Sequence, residues 1–456
     1  MVGIRKAVWV IGIFVIYGAV VEAATPVNFT VNMVDAGQTV PVQFRAYIPD
    51  GVDRIHGLVF NLPGTAKDTR NVTTNGSWQS ILPGMGFGIV GLRDTLGNTD
   101  VTYWGNTPAE GQANFQAVMD AVANATNHPE ISNAPVVLDG LSKGAYAASY
   151  IALMVPDRTV GYVCDKGFGA AFVPNLDQTQ LSKTVGLCIA GTADQTVFPA
   201  LTDQAYVSAR FDGAHVGLAM DWNIAHADTD PKIRYAFIAQ AIRARYPTGQ
   251  VPSLTPGQPL QLVSNISNPW LGQVNQLNLA DDYVSSTYIP ITWPKIAALS
   301  DTQSGLDPSA DSWLPTKAMA MVYQAQNQGT FNSTTRPLQL SVLNAVNTSV
   351  NNGQAIDLGI TLTGLTSNHI ELYHNEDLIA VFNQSTGTQQ FLYTPTENGL
   401  QTFEAIATYS VNGVDSFTSD FAVVGVSLPE PALALSVMAV GMMLGRRRIF
   451  QCPPGC

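Results

Sequence analysis

Six short apolar runs between residues 55 and 245, among them LVFNLP, FGIVGLR, APVVLDG and KTVGLCIAG, carry no polar–apolar alternation. Strand side chains point to opposite faces in turn, so a strand can be apolar throughout only where both faces are covered. Parallel strands need long crossovers, which supply that cover. The intervening stretches at 107–125, 143–154, 199–210 and 232–245 are able to form the crossover helices. The expected fold class is therefore α/β, with a doubly wound, mostly parallel sheet whose reacting groups gather outside the carboxyl ends of the strands. Ahead of it Val40, Val42, Phe44, Ala46 and Ile48 alternate with other residues, which fits an antiparallel hairpin at the entry.

With 456 residues, 46% hydrophobic and 12% charged, the chain has material for two or three domains. A Pro- and Gly-rich stretch at 246–259 ends the α/β pattern. Residues 260–323 read as a subdomain of the same 24–323 unit, closing in a helix with Pro315 near its start. The polar segment 324–336 is expected to be a linker. From 337 to 427 alternation is strict: Leu338, Leu340 and Val342 share a face, as do Ile356, Leu358, Ile360 and Leu362, and then Phe417, Phe421 and Val423. With turn signals at NNG, TENG and VNG, this segment is expected to be a small all-β sandwich. Its closing GLQTFEAIATYSVNGVDSFTSDFAVVGV resembles immunoglobulin-like modules appended to secreted bacterial enzymes. His369 and His374 are expected on a solvated face, and neither metal nor cofactor is expected anywhere.

Both ends read as sorting segments. Residues 1–23 place Arg5 and Lys6 before an uncharged run and end in small residues, the layout of a signal peptide. Residues 428–456 hold Pro429, Glu430 and Pro431, a short apolar transmembrane run at 432–445, and Arg446, Arg447 and Arg448. This arrangement resembles the PEP-CTERM sorting signal of Gram-negative bacteria. The resemblance implies transient membrane association through both termini, a sorting protease at the inner membrane as partner, and delivery to the cell surface or extracellular matrix. Setting both ends aside leaves 17 basic against 32 acidic residues, a net charge near −15 that repels nucleic acid and anionic lipid. Cys164 and Cys188 lie in apolar strand-like runs, where they either pair or stay buried as thiols.

The chemistry-bearing stretch is VVLDGLSKGAYAASY, where Ser142 stands between Gly140 and Gly144 just after an expected strand and just before an alanine-rich helix. A G-x-S-x-G turn at that place presents a serine hydroxyl at the top of the sheet. The hydroxyl needs a base, oriented in turn by an acid. Of the histidines, His56 and His215 lie at strand beginnings and His128 in a polar turn, whereas His226 follows a strand. Asp194, a few residues past the preceding strand, gives the chain order Ser, Asp, His; Asp165, Asp139 and Asp228 compete with it. Oxyanion donors are expected from the backbone at Lys143 and at Thr65, the latter in LVFNLPGTAKD. Tyr103, Trp104 and Trp222 are candidate substrate-stacking residues near the site mouth.

Taken together, QFRAYIPDG, LVFNLPGT, GLSKGAYAA, AGTAD and AHAD resemble the α/β-hydrolase superfamily, and within it secreted carbohydrate esterases and polymer-ester depolymerases. The resemblance implies Ser142 as nucleophile, His226 as general base then acid, Asp194 as orienting acid, and an ester or carbohydrate substrate. The alternative is a non-catalytic surface or matrix protein that keeps the hydrolase scaffold for carbohydrate binding or adhesion.

Overall fold

The entry hairpin and the apolar runs assemble into one eight-stranded sheet. The computed structural model describes residues 25–427 apart from 36, 51, 53, 94–103, 106, 168–177, 197, 228–231, 246–259, 283, 330–335, 345–348, 352, 384–386, 397–398 and 412–413. The expected signal peptide and sorting tail, Tyr103 and Asp228 therefore lie outside the described residues. The strands are β1 (Val27–Asp35), β2 (Gln38–Tyr47), β3 (Gly57–Leu62), β4 (Phe87–Arg93), β5 (Val136–Leu141), β6 (Thr159–Asp165), β7 (Val185–Gly191) and β8 (His215–Asp221). Their order is β1-β2-β4-β3-β5-β6-β7-β8. β1 and β2 form the antiparallel hairpin, with Val27 opposite Ala46 and Asp35 opposite Gln38. β2 meets β4 antiparallel, and from β4 to β8 every pairing is parallel.

Among the described residues there are six α-helices: α1 (Gly76–Met85), α2 (Pro108–Thr126), α3 (Lys143–Met154), α4 (Phe198–Phe211), α5 (Lys232–Arg245) and α6 (Lys317–Asn327). Both sheet faces are covered, which is why the strands lack alternation. Leu58, Phe60 and Leu62 of β3 share a core with α2, α3 and α4, while Val59 joins the opposite core with α1, α5 and α6. The sequence gives little sign of α1, which contains two glycines and Pro83. Its stability comes from burial of Trp78, Ile81, Leu82 and Met85 and from its cap, where Asn75 Oδ1 accepts from the Ser77 and Trp78 amides. No described helix is long and apolar enough to cross a membrane.

Residues 260–316 form short strands along the β8 edge: β9 (Trp270–Gly272), β10 (Leu277–Asn278), β11 (Thr287–Tyr288), β12 (Ile296–Ala298) and β13 (Ser312–Leu314). They make a three-stranded sheet, β12-β9-β13, and a β10-β11 pair. The expected linker at 324–336 is corrected in part. Residues 324–327 complete α6, and Gln324, Asn327, Gln328 and Arg336 are buried. Their polarity serves backbone groups rather than solvent: the Met220 amide donates to Asn327 Oδ1 at 3.0 Å, and Asn327 Nδ2 donates to Leu218 O at 3.1 Å. Ser312 Oγ accepts from the Leu218 amide at 2.9 Å. Side chains thus occupy the open hydrogen-bonding edge of β8, which would otherwise invite strand addition.

The C-terminal segment comprises β14 (Leu338–Val342), β15 (Ser349–Asn351), β16 (Ile356–Leu362), β17 (Ser367–His374), β18 (Asp377–Asn383), β19 (Gly387–Tyr393), β20 (Gly399–Val411) and β21 (Val414–Ser427). Two sheets, β14-β16-β19 and β15-β21-β20-β17-β18, share one apolar core. The pairings are antiparallel except β15 with β21. Phe421 and Val423 do share a face, but it is turned away from this core and packs with Leu400 on the α1, α5 and α6 side of the large sheet. The small Ala405, Ala407 and Ala422 face inward instead. Gln240 Nε2 donates to Thr402 Oγ1 at 3.3 Å across the junction, so the β unit is docked rather than tethered. His374 departs from the expected solvated position: it is half-buried, with Nε2 2.6 Å from Gln401 Oε1 and Nδ1 2.9 Å from the Tyr393 hydroxyl.

Candidate active site

Ser142 directly follows β5 at φ 57°, ψ −118° and directly precedes α3. A non-glycine residue held there costs about 1–3 kcal/mol and persists only where its surroundings enforce it. The enforcement is visible in the two flanking glycines. A Cβ on Gly140 would sit 2.0 Å from Gly144 O, and a Cβ on Gly144 would sit 2.1 Å from Leu62 O. The strand and helix therefore meet closely enough that only hydrogen fits at both positions. The Ser142 amide donates to Asp165 O of β6 at 2.8 Å, and Ser142 O accepts from the Ala145 amide at 3.0 Å. Lys143 is the first residue of α3, where amides lack acceptors within the helix. A Cβ on Gly64 would lie 3.6 Å from Ser142 Cβ, so the turn carrying Thr65 runs beside the serine. Thr65 itself is exposed.

The acid and the base come from the ends of β7 and β8, along the same edge beyond β6. His226 Nδ1 lies 2.7 Å from Asp194 Oδ2, and Thr196 Oγ1 donates to Asp194 Oδ1 at 2.7 Å. A carboxylate at Nδ1 fixes the proton there and leaves Nε2 as an acceptor. The Asp194 side chain is 1% exposed and that of His226 27%, so the acid is dry while the imidazole can be reached. The two loops are stitched together: the Thr192 amide donates to Asp221 O at 3.0 Å, the Ala193 amide to Ile224 O at 3.0 Å, and the Asn223 amide to Thr192 Oγ1 at 2.8 Å.

The two described competitors, Asp139 and Asp165, are occupied by cations. Asp139 Oδ1 is 3.6 Å from Arg234 Nη1 and its Oδ2 accepts from Asn61 Nδ2 at 2.9 Å. Asp165 Oδ1 is 2.8 Å from Lys166 Nζ. The other histidines stand elsewhere. His215 opens β8 at the opposite sheet edge, its Nδ1 2.8 Å from Ser182 O, and burial pushes its pKa down to about 4. His56 precedes β3, and His128 pairs with Glu130 Oε1 at 2.9 Å.

Two of the aromatic expectations are corrected. Trp104 is fully buried, edge-on to Phe60 with ring centroids 6.2 Å apart, and Trp222 is buried in the same core. Neither offers an open stacking face, because rings that close to the sheet are covered by the layer above it. Cys164 and Cys188 sit directly opposite each other on β6 and β7 as buried free thiols. Sequence reasoning did not single out Lys166, Asp221 and Arg234, which with Asp165 and Asp139 form a buried charge cluster under the candidate site. The available signal was a carboxylate near the carboxyl ends of β5, β6 and β8, since buried acids demand cations nearby.

No family model matches the chain, and no curated protein matches it. Among solved structures, poly(aspartic acid) hydrolase-1 from Sphingomonas sp. KT-1 superposes at a TM-score of 0.35 with 17% identity, covering 45% of this chain and 95% of its own. A ferulic acid esterase does so at 0.34 with 12% identity, covering 45% and 92%. An S-formylglutathione hydrolase from Agrobacterium tumefaciens gives 0.33 with 16% identity, covering 45% and 89%. At these values the likenesses carry no argument about chemistry, and any reading of the site stands on its own geometry.

Proposed function

We propose that the chain is a serine ester hydrolase of the α/β-hydrolase superfamily. The observation that carries this reading is the strained Ser142, held at φ 57° between two glycines that admit no Cβ, on the edge where the Asp194–His226 pair stands. Strain of this kind on a half-buried strand-to-helix turn serves to project a hydroxyl. In the proposed reaction Ser142 Oγ attacks the ester carbonyl while His226 Nε2 takes its proton. Asp194 holds the imidazole in the required tautomer and stabilises the imidazolium. The amides of Lys143 and Thr65 receive the oxyanion. The alcohol leaves with the proton from His226; water, deprotonated by the same nitrogen, then releases the acid from the acyl-serine.

The substrate is proposed to be a carbohydrate-linked or polymeric ester, in keeping with an exported protein. Residues 1–23 are proposed as the export signal, and 428–456 as a PEP-CTERM-type tail that delivers the body to the surface. The β unit is proposed to be immunoglobulin-like, supported by two sheets around one core and by the passage of the chain from β14 in one sheet to β15 in the other.

The test is turnover of p-nitrophenyl acetate together with labelling by a fluorophosphonate. The full chain is expected to do both, and Ser142→Ala to lose at least about 10³-fold in rate and all labelling. Equal rates for the two proteins refute the assignment. Absence of labelling with retained polysaccharide binding favours the adhesion alternative.

A further inference from the structure

Lys166 carries a buried ammonium that the proposed reaction does not use. It follows β6 with φ 50°, a left-handed conformation unusual for lysine. That twist turns the side chain inward, where Nζ lies 2.8 Å from Asp165 Oδ1 and 2.9 Å from Asp221 Oδ2. Its stem passes over the end of β7 at Gly191, where a Cβ would come 2.9 Å from Lys166 Cε, 2.8 Å from Ile224 O and 3.1 Å from Ala225 O. A glycine is needed at that point so that the lysine and the loop toward His226 can both close on the strand.

The backbone of each partner reaches the reacting residues. Asp165 O accepts from the Ser142 amide at 2.8 Å, the Lys166 amide donates to Ile189 O at 2.7 Å, and Asp221 O accepts from the Thr192 amide at 3.0 Å, two residues before Asp194. We propose that Lys166 is a positioning residue whose ammonium ties the ends of β6 and β8 across β7, and so sets the spacing between the Ser142 turn and the Asp194–His226 pair. Arg234, 3.9 Å from Asp165 Oδ2, and Asp139 beside it also face the tie. Burial opposes the charge on Lys166, but Asp165 and Asp221 outweigh it and raise its pKa, while burial pushes the Asp165 carboxyl up to about 6, so both ends of that contact are charged above that pH. Without the cation nothing bridges the two buried carboxylates, and the strand ends lose the tie that spaces them.

The proposal rests on the ester-hydrolase reading, so its test includes a readout independent of turnover. Wild type, Lys166→Met and the neutral triple variant Asp165→Asn/Lys166→Met/Asp221→Asn are compared as full chains. With p-nitrophenyl acetate, both variants are expected to lose about 30-fold or more in kcat with KM within about threefold, and to shift the acid limb of the pH–rate profile. The triple variant, lacking unpaired charge, is expected to melt near wild type, which separates positioning from stability. By proton NMR, the low-field His226 Nδ1–H resonance, assigned by its loss in His226→Gln, is expected to move or broaden in both variants. A folded variant with wild-type kcat, pH profile and resonance overturns the proposal, and so does failure of both variants to fold, which makes Lys166 a folding residue only. If wild type hydrolyses no ester yet the resonance moves on removing Lys166, the hydrolase reading falls while the positioning stands.

Discussion

Gly144→Ala puts the elbow geometry under direct test. The added Cβ would lie 2.1 Å from Leu62 O, 2.6 Å from Leu62 C and 2.9 Å from Pro63 O, all of them backbone atoms of β3 and the turn after it. Ordinary contact begins near 3.4 Å, so the start of α3 must withdraw by about 1.3 Å. Overpacking of this kind costs about 1–3 kcal/mol of stability. Ser142 and the Lys143 amide move with the helix, and a displacement near 1 Å at a reacting group costs about 10²-fold, or about 2.7 kcal/mol of barrier. The assay is kcat/KM for p-nitrophenyl acetate, normalised to the fraction labelled by a fluorophosphonate, alongside urea unfolding. Gly213→Ala is the control: it sits at φ 82° with nothing within 4 Å of an added Cβ, so it should lose stability of about 1 kcal/mol and no rate. Should Gly144→Ala keep both its rate within threefold and its urea midpoint, the close approach of α3 to β3 is not what holds Ser142 in place.

Asp194→Asn presents an N–H to His226 Nδ1, drives the ring proton to Nε2 and is expected to cut kcat by about 10⁴-fold while leaving the melting temperature near wild type; retention of activity would assign the orienting role to another carboxylate. Asn327→Leu leaves the buried Met220 amide and Leu218 carbonyl unpaired on the β8 edge and should destabilise by at least about 2 kcal/mol in urea unfolding. Glu404 is buried, its two carboxylate oxygens lack a hydrogen-bond partner among the described residues, and burial, opposed by Arg336 and aided by Asp420, raises its pKa well above the usual carboxylate range. The native state then binds more protons than the unfolded chain above about pH 4.3, so this group's contribution to stability falls as pH rises. Glu404→Gln should gain on wild type as pH increases, and parallel stability–pH curves would show that the carboxyl is not held neutral in the fold.

The layered sheet was legible because its cause is local. Unalternated runs such as Leu58–Leu62 state that both faces are covered, and the four expected crossover helices end within a residue or two of α2, α3, α4 and α5. The edge shared by Asp194 and His226 was also readable, since chain order along parallel strands fixes which loops share an edge, but it left Asp165, Asp139 and Asp228 competing with Asp194. What failed failed for a common reason. Gln324 and Asn327 look like linker by composition, yet Gln324 Nε2 donates to Pro294 O and Asn327 Nδ2 to Leu218 O of β8. Trp104 and Trp222 lie near the edge in sequence, yet packing buries them. Phe421 and Val423 alternate correctly, but alternation names two faces without saying which partner covers each.

By itself, the sequence determined the period of each element, the direction of the strands and the edge at which a serine, an acid and a histidine emerge, because these follow from side-chain spacing along a continuous chain. Only the tertiary structure decided which carboxylate meets the imidazole and which meet Lys166 and Arg234, how tightly Gly144 approaches Leu62, and which face of β21 docks on the large sheet. Those outcomes depend on contacts between residues far apart in the chain, where charge pairing and close packing select one arrangement from many with the same local pattern.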